Sequence, residues 1–213
     1  MVSDLGLNAI VFASFLLIFF VGLGLKYKRY KDAQEIFNRL GFQKVAPDAG
    51  LQKLMTLLSQ GKIPKSELSY DYVYSGAAKG IMMQVAHIRA VRAMHRKHKS
   101  RLYMVVRASL SRDYPKFAII PRNFLHNIID ADEVEIESPN FTEKYLMVSD
   151  DPATAKAALT LDQVYAISQL KIDSTAEVIG SNVVLHKREM GSMSTIQIGD
   201  MLGDAARLAK VLG

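Results

Sequence analysis

The sequence predicts an α+β fold: a single N-terminal transmembrane helix followed by a mainly antiparallel sheet domain packed with helices. Three observations carry this. Leu5 to Leu25 is an uncharged run of 21 residues. From Tyr70 to Pro121 the chain is rich in β-type runs, and their connections are too short for crossover helices. Near the C-terminus Ile198, Met201, Leu202, Ala205, Leu208, Ala209 and Leu212 recur at helical spacing on one stripe.

About 20 helical residues cross a hydrocarbon core of ~30 Å, so Leu5 to Leu25 has the length of a span. A cleaved signal peptide would need a positive leader and a small-residue cleavage site; here Asp4 is the only charge before the core. Lys26, Lys28, Arg29 and Lys31 follow it, with Tyr27 and Tyr30 where interfacial aromatics belong, so the positive-inside rule places the body in the cytoplasm. These six residues, Lys26 to Lys31, form the expected lipid interface. Gly22 and Gly24 offer a close-packing surface for another spanning helix. The expected division is residues 1–4 outside, 5–25 spanning, 26–61 as juxtamembrane helices and 62–213 as a cytoplasmic domain. The expected location is a bacterial inner membrane.

Tyr30, Ala33, Phe37 and Leu40 continue the helical period to about Leu40, where Gly41 can take a left-handed conformation. Asp48 caps a second helix bearing Leu51, Leu54, Met55 and Leu58, closed by Gly61. Tyr70 to Ala78 and Ile81 to Met94 flank Lys79-Gly80 as a hairpin. Arg101 to Leu110 and Lys116 to Pro121 read as two further strands, with a helical turn at Asn123 to Ile129. Glu133 to Glu137 and Lys144 to Ser149 read as extended. Asp151-Pro152 starts a helix, and Thr160 with Gln163 fits a capping box for another, to about Leu170. Glu177 to Gly180 and Asn182 to Arg188 read as a hairpin through Gly180-Ser181. Ser194 with Gln197 caps the last helix.

Three stretches together carry a resemblance: Pro115 to Pro121 (PKFAIIP), Pro139 to Pro152 followed by Ala158-Leu159-Thr160, and Val178 to Leu185 (VIGSNVVL). From Tyr70 to the C-terminus the chain resembles an uncharacterised bacterial family of membrane-anchored proteins of unknown function. Its members usually show two spans where this chain shows one. The resemblance implies a membrane-anchored domain and brings no known reaction.

The absence of cysteine excludes disulfides, thiolate nucleophiles, zinc-thiolate knuckles and iron–sulfur clusters. No nucleophile elbow, Walker loop, dinucleotide-binding glycine motif, H-E-x-x-H or EF-hand loop is present, so no catalytic, metal or cofactor residues are assigned and no cofactor is expected. His87, His95 and His98 stand among cations that would repel a divalent ion. Glu133, Glu135 and Glu137 alternate with Val134 and Ile136 and read as a solvated strand edge. The densest basic run, Arg89, Arg92, Arg96, Lys97, Lys99 and Arg101, is the candidate patch for an anionic partner. Anionic lipid headgroups or an acidic protein suit it better than nucleic acid, because only Tyr103 lies close by for base stacking.

Three classes of function follow. The first is a non-catalytic single-pass accessory or assembly subunit docking on a larger membrane protein complex, whether respiratory, photosynthetic or secretory. The second is a membrane-tethered sensor or adaptor that binds an anionic lipid or acidic protein through the basic hairpin. The third is an enzyme with an unrecognised site.

Overall fold

The computed structural model of the chain describes residues 31–51, 66–94, 97–123, 132–188 and 195–213. The chain divides into two compact units between Leu40 and Gly41. In the first, residues 31–39 form helix α1, with Ala33 and Phe37 buried and Arg39 paired with Glu35 one turn away. Gly41 follows with φ of +77°, in the conformation that the expected helix end requires.

The expectation of a fold built on a spanning helix is corrected. Among the described residues no helix is long and apolar enough to cross a membrane. Among the described residues the longest helix, Thr195–Leu212, carries the exposed Asp200, Arg207 and Lys210 and lies on the sheet with one side in water. The expected span Leu5 to Leu25, with Gly22 and Gly24, lies outside the described residues, as do Lys26, Tyr27, Lys28, Arg29 and Tyr30. Lys31 opens the described part of α1. What the structure supports is an antiparallel sheet domain with helices.

Among the described residues that domain has seven strands. β1 (Gln43–Lys44), β2 (Ser66–Ala78), β3 (Ile81–Met94) and β4 (Lys97–Pro121) lie side by side in chain order, every neighbour antiparallel. The Lys79-Gly80 turn has φ of +53° and +79°, the mirror-image turn whose twist suits a two-residue hairpin. Beyond β4 come β6 (Tyr145–Ser149) and β5 (Asp132–Glu133), while β7 (Thr175–Arg188) also pairs with β4.

Arg101 to Leu110 and Lys116 to Pro121, expected as separate strands, are parts of one 25-residue β4. Ladder shifts between Ser109, Tyr114 and Phe117 absorb the break in alternation that suggested two. The Gly180-Ser181 hairpin is likewise corrected: both of its arms stay on β4 as one strand, with φ of +55° at Gly180. Only Asp132–Glu133 of the extended stretch to Glu137 joins the sheet. The expected turn at Asn123 to Ile129 lies outside the described residues beyond Asn123, and Ser194 and Gly61 lie outside them too.

Among the described residues four helices follow α2, a helix that opens at residue 49 and is described to Leu51. Asp48 caps it as expected, its Oδ1 accepting from the Leu51 amide at 2.5 Å. Helix α3 (Pro139–Lys144) was not foreseen; at six residues it is too short to show a period. Helix α4 (Pro152–Ala157) has the expected Asp151 cap, α5 (Leu161–Gln169) has both halves of its Thr160/Gln163 capping box, and α6 (Thr195–Leu212) lies along β4 and β7.

Both faces of the central strands are buried. Direct antiparallel partners share a face, which puts Val73, Ala86, Ile88, Val105 and Val184 together, packed with Leu51, Val45, Tyr70, Tyr103 and Ile179. The opposite face holds Tyr74, Met83, Val85, Met104, Val106, Ala108, Val183 and Leu185, all buried.

Candidate functional site

The polar side chains form ties before they form sites. Arg107 donates through Nε to Asn182 at 2.8 Å and through Nη1 to Gln84 at 3.1 Å and Asp48 at 3.3 Å; Gln84 donates to Asp48 at 2.9 Å. The cap of α2 is thereby pinned to three strands. Hydrogen bonds from the Leu51 amide, Gln84 and Arg107 hold the Asp48 carboxyl below its ordinary range, against a smaller opposing effect of burial. Asp71 takes His87 Nδ1 at 3.0 Å and Arg89 at 3.2 Å, with the His87 ring stacked on Tyr72. His87 is a packed strand residue, and among the described residues no cluster of His, Asp or Glu could hold a metal.

The least expected tie joins Glu177 and His186, whose Oε1 and Nε2 are 2.8 Å apart and whose side chains are 11% and 16% exposed. Nine residues of straight strand would separate their backbones by on the order of 30 Å. β7, continuous along β4, must therefore bend strongly between them, in the stretch that holds Gly180 and the ladder shifts at Ser109, Tyr114 and Phe117.

The basic run is sorted by the β3–β4 register. Arg92 faces Lys99, Ala90 faces Arg101 and Met94 faces Lys97, so Arg92, Lys97, Lys99 and Arg101 hold register positions on one face. Arg89 faces Leu102 on the other and is spent on Asp71. Arg96 lies outside the described residues. Glu133, Glu135 and Glu137 are exposed and Val134 and Ile136 buried, the alternation expected of them; Arg122 and Lys156 approach Glu133 and Glu137.

Helix α5 presents two of the exposed large apolar side chains of the sheet domain side by side; Ile196 at the start of α6, 75% exposed, and Met82 on β3 stand apart from them. Leu161 is 81% exposed and Tyr165, one turn on, 60%. Val164 and Ile167 bury the other side. The helix is held firmly: the Gln163 side chain accepts from the Thr160 amide at 3.1 Å and donates to Tyr114 Oη at 2.9 Å and the Val211 carbonyl at 3.1 Å. Arg112 donates to the Ala158 carbonyl and to Gln163, each at 3.2 Å, and lies over the Tyr114 ring. Tyr114 donates in turn to the Leu212 carbonyl at 2.5 Å.

No family model matches the chain, and no curated protein matches it. One solved structure does. The chain is similar in fold to the mycobacterial trehalose monomycolate transport factor A, with a TM-score of 0.55 over 84% of this chain and 91% of that one. Sequence identity is 8%, so the likeness is one of fold. It spans nearly the whole of both chains, and so concerns the arrangement of the domain as a whole.

Proposed function

We propose that this chain is a non-catalytic accessory factor whose sheet domain docks on a partner protein through the outer side of α5. The observation that carries the reading is the paired exposure of Leu161 and Tyr165 on a helix held at its start through Gln163 and at its end by Lys144 and Tyr145, which donate to the Ser168 and Leu170 carbonyls. Scattered exposed apolar residues need no explanation, but two on adjacent turns of a pinned helix make a ready contact with low ordering cost. Tyrosine is the kind of residue that anchors interfaces. The polar clusters described above serve the fold, each bonded to its own neighbours. The likeness to a transport factor supports an accessory role and points to a transport assembly as the kind of partner.

The test is co-purification of the full chain in mild detergent, compared with Leu161→Ser/Tyr165→Ser. The double variant should lose a discrete partner that the unaltered chain retains. Its thermal midpoint should stay the same, since exposed substitutions usually change stability by within about 0.5 kcal/mol. Retention of the same partners by both would overturn the reading.

A further inference from the structure

The charges around α5 divide into those that are used and those that are not. From Asp150 to Asp173 the chain carries six charged residues. Asp150 is paired with Lys116, Lys156 with Glu137 and Asp173 with Lys187, and Asp151 caps α4 through the Thr154 amide. The other two, Asp162 and Lys171, are exposed and have no ion-pair partner among the described residues. They are of opposite sign and stand at the two ends of α5, Asp162 in its first turn and Lys171 one residue past the Leu170 cap. The helix dipole accounts for an acid at the start of α5 and a cation at its end. It does not account for the bare Leu161 and Tyr165 set between and beside them.

Such a row is complementary to itself reversed. Nine residues of helix rise about 13 Å, so when two copies of α5 lie antiparallel the Asp162 of each comes level with the Lys171 of the other. A single two-fold axis forms both ion pairs at once, as contact of one patch with itself requires. The midpoint between positions 162 and 171 falls within half a turn of Tyr165, so the two tyrosine rings meet close to that axis. The patch is small beside the ~800 Å² per partner of a standard interface, so the pairing is weak and another protein can displace it.

We propose that a second copy of this chain covers the outer side of α5 when no other partner does, the two helices antiparallel about a two-fold axis near Tyr165 and each Asp162 paired with the Lys171 of the other copy. This rests on the docking reading of α5 and adds its regulation. The face that takes a partner is shielded by self-association, and the partner competes with the second copy for it.

The mass of the purified full chain in mild detergent tests it, measured by sedimentation equilibrium from about 1 μM to about 1 mM. The mass should rise with concentration from one chain toward two. Leu161→Ser/Tyr165→Ser should hold it at one chain throughout. Asp162→Lys and Lys171→Glu should each weaken the pairing about tenfold, because each sets like charges together at two places, while Asp162→Lys/Lys171→Glu should restore it. Asp132→Lys, the same change of charge on β5, should leave it unaltered. If Asp162→Lys melts lower, as a cation at a helix start can cause, Lys171→Glu and Leu161→Ser/Tyr165→Ser carry the test. A mass of one chain at every concentration, a rise untouched by Leu161→Ser/Tyr165→Ser, or a double exchange that fails to restore what the single ones lose would overturn the proposal. The docking reading is judged separately, by what co-purifies. Loss of a partner from Leu161→Ser/Tyr165→Ser while the purified chain stays single would sink self-pairing alone, and self-pairing with no partner lost would sink docking alone.

Discussion

At Gly76 the missing side chain is what lets Phe42 lie on β2. A Cβ there would stand 2.7 Å from Phe42 Cγ and 3.0 Å from its Cα, and the Cα cannot rotate aside. Gly76→Ala should therefore cost about 1–3 kcal/mol in chemical denaturation, the range for overpacking a buried contact. Asp204 is buried beside α6's own Arg207 and the Asp173 amide, and burial lifts its carboxyl above the ordinary 3.8 in spite of both. The native state then holds a proton more readily than the unfolded chain, so this group adds stability as pH falls from its raised value toward 3.8. Thermal midpoints of Asp204→Asn should fall behind the unaltered chain progressively over that acid range. Asp48 has the opposite sign: its contribution is complete above 3.8 and fades only below it, as its lowered group takes up a proton.

At the level of elements, β7 turns on Gly180. A Cβ would meet only Asp113 Oδ1 at 3.7 Å, so Gly180→Ala has room, and its cost is the left-handed backbone at φ +55°. About 1–2 kcal/mol is expected, with the loss of the Glu177–His186 approach visible as a changed His186 imidazole signal. The same glycine shows where sequence reading stops. Gly180-Ser181 between two apolar runs is equally good chemistry for a hairpin or for a bulge, and only the long-range pairing with β4 decides between them. Local signals fared better: Lys79-Gly80, the Asp151 cap and the Thr160/Gln163 box all depend on residues within a few positions of one another. Arg112 and Pro115 interrupt the alternation of β4 without ending the strand, which two shifts in the ladder carry through.

On the scale of the whole molecule, the antiparallel run of β2, β3 and β4 is legible in alternation and short connections, whereas the pairing of β1, β6 and β7 depends on long-range contacts that no local signal carries. For the outer side of α5, Leu161 and Tyr165, four apart and out of step with Val164 and Ile167, are the signal the sequence holds. The basic run was visible as composition, but its sorting into one cationic face and an Arg89–Asp71 tie required the register. The span expected from Leu5 to Leu25 has no counterpart among the described residues, and the functional reading rests on the sheet domain alone.

The docking claim is tested most directly by placing a photo-crosslinking amino acid at Tyr165 of the full chain, with the same group at the exposed Asp132 as control, and illuminating cells. A single discrete protein adduct at position 165, missing at 132 and competed away by unaltered chain but not by Leu161→Ser/Tyr165→Ser, is the expected result. Absence of an adduct at 165, or the same adducts at both positions, would contradict it.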